Sequence, residues 1–419
     1  MHTKPSRWPG LLAALLLSAA VATPLHAAQP HPAWTTTWTA SPQPRWDGDF
    51  ALPTKLPYHF WNQTLRQVAR TSIGGERVRV LFSNAYGTRP LRIGAAHVAL
   101  AADGPSIVEG SGHALTFGGA TSVTIPPGAP MLSDPVDLEV DALSHLAVSV
   151  YLPEPTPPAT FHWDARQTAY VGAGNQVAAT TMQAGATLDT RVFLAAIQVE
   201  AAPGARTVVA IGDSITDGNM STVDADARWP DFLAARLAPR NVAVLNAGIS
   251  GARVLRDKMG QNALARFERD VLAQPGIEAA IVLIGINDIA WEGTPLAPGH
   301  ESTGAPALIA GYRQLIARAH ARGVRIIGAT LTPFEGALED TPMRGYFSPG
   351  KERIRQQVNA WIRDSGEFDA VLDFDAVLRD PERPTRLLPA YDSGDHLHPG
   401  DAGYRAMAEA IGLQALLGD

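Results

Sequence analysis

The chain has 419 residues, 46% hydrophobic and 18% charged, with a net charge of −7. Such values suit a soluble globular protein of about two domains and exclude a disordered one. No basic run is present, which argues against nucleic acid as the main partner, and the absence of Cys excludes thiolate metal sites and Cys nucleophiles.

Lys4 and Arg7 precede an apolar stretch, GLLAALLLSAAVA at 10–22, and small residues surround Ala27 and Ala28. A positive start, a short apolar core and small residues describe a signal peptide over 1–28. The stretch is too short to span a bilayer comfortably. The expectation is a secreted or periplasmic protein with no stable membrane insertion after cleavage.

Residues 29–203 read as β-rich. Strand candidates are 77–84, 91–100, 121–127 and 145–153, separated by Gly, Pro, Asn and Asp. Repeated short strands with turn signals favour a sandwich or jelly roll. Trp34, Trp38, Trp46, Trp61 and Trp163 lie here; exposed, such rings could stack on sugars, but buried Trp in a β core is commoner. Residues 186–206 read as the link between halves.

From 204 to 419 strands and helices alternate. Strand candidates are 207–211, 242–246, 279–285, 324–331 and 370–374; helical stretches are 229–238, 256–273, 306–323, 348–365 and 402–417. Apolar strands alternating with amphipathic helices indicate a parallel sheet covered on both faces. Ligands of such sheets bind beyond the carboxyl ends of the strands.

Four short signals fall at those ends or just before the last helix: Gly212-Asp213-Ser214, NAGISGARV at 246–254, GINDI at 285–289 and DSGDHLHPGDAGY at 392–404. Ser214 on its own reads as a helix cap. A serine becomes a nucleophile only beside a base with an orienting partner. His398 with Asp395 three residues earlier suits that pairing, and His396 and Asp392 are rivals one step away. Ser214 and Gly251 could turn backbone N–H groups toward an oxyanion, and Asn287 its side-chain amide. Singly, Gly251 reads as a turn glycine and Asn287 as an Asx turn. Asp213 and Asp217 read as braces of the Ser214 turn.

Ser, Gly, Asn and His in this order resemble the SGNH (GDSL-type) hydrolase family, with GDSI, NAGISG, GIND and DHLH as its blocks. Ile215 stands where the family often has Leu. The resemblance covers about 207–415. It implies a flavodoxin-like three-layer α/β/α fold and an ester hydrolase with neither metal nor cofactor. It also implies Ser214, Asp395 and His398 as the triad, with Ser214, Gly251 and Asn287 forming the oxyanion hole. No G-x-S-x-G occurs, which disfavours the α/β-hydrolase family. Arg253, Trp291 and Phe334 are candidate substrate contacts, the two aromatics equally readable as core. A β-rich front half before such a domain resembles a branch associated with acetyl groups on plant polysaccharides. The expected activity is removal of those groups from a polysaccharide or small-molecule ester. A broad short-chain carboxylesterase or lipase, or an O-acyltransferase using the same triad, is the alternative. A carbohydrate-binding protein with a vestigial site fits poorly with so complete a set.

Overall fold

Five apolar runs of the second half form one parallel sheet: β1 (Arg206–Gly212), β2 (Val242–Gly248), β3 (Ile277–Leu283), β4 (Arg325–Ala329) and β5 (Ala370–Leu372). The computed structural model describes residues 1–5, 34–46, 48, 50–299 and 303–418. Past residue 5, the expected signal peptide lies outside the described residues. Strand order is β2-β1-β3-β4-β5, every neighbour parallel. That is the flavodoxin-like doubly wound order, which opens a crevice where β1 meets β3.

Helices that matter to the site are α1 (Ser214–Asp217), α2 (Trp229–Leu237), α3 (Ile286–Ala290), α4 (Ala305–His320), α5 (Pro349–Asp364) and α6 (Asp401–Ala410). Alternate residues of a strand point to opposite faces. Val209, Ile211 and Leu245 share one core with Leu308 and Leu315 of α4 and Val358 of α5. Val208, Ala210 and Val244 share the other with Leu233 of α2 and Met407 of α6. Coverage on both faces is why these strands read as unbroken apolar runs.

Two helices differ from the sequence expectation. The stretch 256–273 becomes helical only at Ala263, with Asn262 as its cap. The Asp257 carboxylate accepts from both the backbone and the side-chain nitrogen of Asn262, each at 2.7 Å, and so holds the preceding residues as a loop. The stretch 402–417 breaks at Gly412 into α6 and Leu413–Leu417. Glycine weakens a helix there by its freedom in the unfolded chain.

The first half is antiparallel. One sheet runs Ala186–Leu188, Ala169–Ala173, Gln63–Arg70, His145–Leu152, Ala95–Leu100, His113–Leu115; another runs Trp34–Thr39, Leu194–Glu200, Val78–Ser83, Pro130–Leu132. Leu65, Val98 and Val148 of the first share a core with Val80, Phe82 and Ile197 of the second, as in a sandwich. Gly94 splits the expected strand 91–100 in two. The expected link is much shorter than 186–206, because Leu194–Glu200 pairs on both edges. Trp34–Thr39 also packs on β2, and Ala243 belongs to the sandwich core. The described residues from 34 onward therefore form one compact unit. Trp38 and Trp46 are buried, whereas Trp61 is 63% exposed. No helix among the described residues is long and apolar enough to cross a membrane.

Candidate active site

The one-turn helix α1 starts two residues after the end of β1. Asp213 caps α1, its Oδ1 accepting from the Ile215 N–H at 3.1 Å, and the helix stops after one turn at Gly218. The capping role belongs to Asp213, so the Ser214 hydroxyl is left for other work. Ser214 Oγ lies 2.8 Å from His398 Nε2, and His398 Nδ1 lies 2.6 Å from Asp395 Oδ2. With Nδ1–H given to a carboxylate, Nε2 presents its lone pair to the hydroxyl. Asp395 Oδ1 accepts from the N–H groups of Leu397 and His398 at 2.9 and 2.8 Å. Burial raises the Asp395 carboxyl, but His398 and these N–H groups outweigh it and hold it well below the usual carboxylate range. The rival pair is turned elsewhere: His396 bonds Asp392 and stays half-exposed.

Gly251 follows β2 at φ +76°. A Cβ there would overlap Met259 Sδ and come 2.9 Å from the Trp291 ring, so both conformation and space require glycine. The chain is pinned on either side of it. Ser250 N–H and Oγ–H both donate to Asp217 Oδ2 at 2.8 Å. The Ala252 carbonyl accepts from Asn287 Nδ2 at 2.9 Å. Asp288 accepts from the N–H groups of Val254 and Leu255 at 2.7 and 3.1 Å. Asn287 Oδ1 accepts from the Tyr346 hydroxyl, which fixes which end of the amide is the donor. One Nδ2 hydrogen remains after the bond to Ala252. Among the described residues, the Ser214 and Gly251 N–H groups have no acceptor. Three donors at one sheet edge form a set able to stabilise an oxyanion.

Two further carboxyls lie beneath this edge. Burial pushes Asp213 up to about 7, against the opposing pull of the Ile215 N–H and His398. Burial likewise takes Asp288 to about 6.

Arg253, Trp291 and Phe334, the candidate substrate contacts, are 4%, 2% and 0% exposed. Trp291 backs Gly251, the Arg253 guanidinium lies 4.7 Å from the centre of the Trp291 ring, and Phe334 packs edge-on against Tyr346 and Phe347. Trp291 and Phe334 share one apolar cluster with Met259 and Tyr346. Residues that sequence reasoning missed include Tyr346 and Arg266. Arg266 is buried and ties β1 to β2, donating to Gly212 O at 2.9 Å and Ala247 O at 2.6 Å. Neither role shows locally, since Asn287 lies 59 residues from Tyr346 and Gly212 lies 54 from Arg266 along the chain.

Residues 210–406 match the model of the GDSL-like lipase/acylhydrolase family. No curated protein matches the chain. Similar solved structures include an acetyl xylan esterase from Geobacillus stearothermophilus, 25% identical, covering 50% of this chain and 94% of its own, with a TM-score of 0.38. A GDSL-like lipase from Bacteroides thetaiotaomicron is 20% identical, covering 50% and 87%, TM-score 0.37. An aryl esterase from M. smegmatis is 16% identical, covering 51% and 100%, TM-score 0.41. Residues 210–406 are a GDSL-like lipase/acylhydrolase domain, and the chain is a carboxylic ester hydrolase.

Proposed function

We propose that the chain hydrolyses esters through a covalent acyl-enzyme, with Ser214 as nucleophile, His398 as base and Asp395 as the group that orients it. What carries this reading is the unbroken run from Asp395 through both nitrogens of His398 to Ser214 Oγ, at 2.6 and 2.8 Å. As Ser214 Oγ bonds to the ester carbonyl carbon, His398 Nε2 takes its proton. The carbonyl oxygen becomes an oxyanion, met by the N–H groups of Ser214 and Gly251 and by Asn287 Nδ2. The imidazolium, faced by the Asp395 carboxylate, then protonates the leaving oxygen as the C–O bond breaks. Water repeats the sequence: His398 takes one proton, the hydroxide adds to the acyl carbon, and Ser214 Oγ leaves with that proton.

As substrate we propose an acetyl ester on carbohydrate. Tyr58 and Trp61, 82% and 63% exposed, offer rings on which the C–H face of a sugar packs. The signal peptide expected over 1–28 supports action outside the cytoplasm.

The test compares wild type with Ser214→Ala on acetylated xylan and on p-nitrophenyl esters from acetyl to lauroyl. Expected are acetate release, fastest turnover of the acetyl ester, and a kcat about 10³-fold or more lower in the variant. Activity kept within tenfold in Ser214→Ala would overturn the mechanism. Preference for long chains with no acetate from xylan would overturn the substrate class alone.

A further inference from the structure

His162 ends the strand Thr160–His162 of the sandwich half and is buried against the turn that carries Ser214. Its Nδ1 lies 3.0 Å from the Ser41 carbonyl oxygen and its Nε2 2.8 Å from Asp217 Oδ1. Both partners accept, and a neutral imidazole has only one N–H to give. Asp217 Oδ2 already takes two hydrogen bonds from Ser250. Both contacts of His162 are therefore made together when the ring is an imidazolium.

The charges around it come from several elements. Asp164, two residues on, supports the proton. Arg191, opposite His162 on the paired strand, and Arg228 line the same small polar cavity with Asp217. Burial alone would strip the ring of its proton; the Asp217 charge and hydrogen bond, the Ser41 carbonyl and Asp164 together raise it above the ordinary 6.5.

We propose that His162 is a positioning residue for ester hydrolysis: as a buried imidazolium it anchors Asp217, which fixes Ser250 and so aims the adjacent Gly251 N–H at the oxyanion. The inference rests on the role given above to Gly251. One carboxylate then joins three parts, the nucleophile turn, the oxyanion loop and the sandwich half. On this account the sandwich half is a working part of the esterase.

The experiment uses the full chain with p-nitrophenyl acetate, measuring kcat and KM from mildly acidic to alkaline pH, with thermal unfolding as the folding control. His162→Leu is expected to lower kcat about tenfold to a hundredfold with KM within threefold. His162→Gln, whose amide N–H can reach Asp217, recovers most of the loss. Wild-type kcat falls at alkaline pH as the imidazolium is lost. In Asp217→Asn the amide donates to a neutral imidazole and its oxygen still accepts from Ser250, so that fall is absent. Folded His162→Leu with kcat within threefold of wild type, or the same alkaline fall in wild type and Asp217→Asn, would overturn the proposal. Should His162→Leu not fold, the comparison with Asp217→Asn decides. Activity retained in Ser214→Ala would instead strike the mechanism on which the proposal rests.

Discussion

The two halves contribute to one site in different ways. In the α/β half the proposed catalytic groups lie at one sheet edge: Ser214 after β1, Gly251 after β2, Asn287 after β3, His398 ahead of α6. In the sandwich half, Gln43, Trp46 and His162 reach toward the supports of those groups. Gln43 Nε2 donates to the Met259 carbonyl, Trp46 shares an apolar cluster with Met259, Trp291 and Tyr346, and His162 holds Asp217. A doubly wound sheet collects reactive groups by backbone topology alone. Their aim depends on the groups packed behind them, and here a second half supplies part of that packing.

That contrast can be broken most forcefully at Trp46. Trp46→Ala removes a buried ring from the shared cluster and is expected to lower unfolding free energy by about 3–5 kcal/mol in urea titration. A loss below about 1 kcal/mol would mean the halves are energetically independent. Asn287→Ala should do the opposite, lowering kcat about 10²–10³-fold with an almost unchanged melting temperature. A raised KM with normal kcat would make the amide a ground-state contact instead.

Asp213 gives a subtler, pH-dependent effect. Its carboxyl sits at about 7 in the fold against an ordinary 3.8, so the folded chain keeps a proton that the unfolded chain has released. This contribution to stability is complete below 3.8 and declines as pH rises to about 7. Asp213→Asn is expected to make the fall in melting temperature over that window shallower; an unchanged slope would refute a neutral buried Asp213. The smallest effect belongs to Lys55, whose 2.7 Å pair with Asp189 is solvent-exposed on both sides. Lys55→Ala should cost under about 1 kcal/mol, and a larger loss in denaturant titration would show that its stacking over Trp163 matters more than the ion pair.

The α/β half was readable because its signals are local. Strands buried on both faces are runs of apolar residues, and each block of the candidate site is a turn whose chemistry shows within a few residues. The helix expected at 256–273 failed for an equally local reason: Asp257 and Asn262 satisfy each other and delay its start. The strand Leu194–Glu200 was hidden in an expected link, since only its partners at 34–39 and 78–83 reveal it as central.

By itself, then, the sequence determined the doubly wound fold and the family, together with the residues Ser214, Gly251, Asn287, Asp395 and His398 as candidates. Tertiary structure alone decided which histidine faces Ser214, that Asp213 does the capping, and that Arg253, Trp291 and Phe334 are buried. It also brought His162 and Tyr346 to residues 55 and 59 positions away. The physical reason is range. Periodicity and turn chemistry act between near neighbours, whereas a buried polar group takes whatever partner the packed chain delivers, because leaving it unpaired costs more than any local preference.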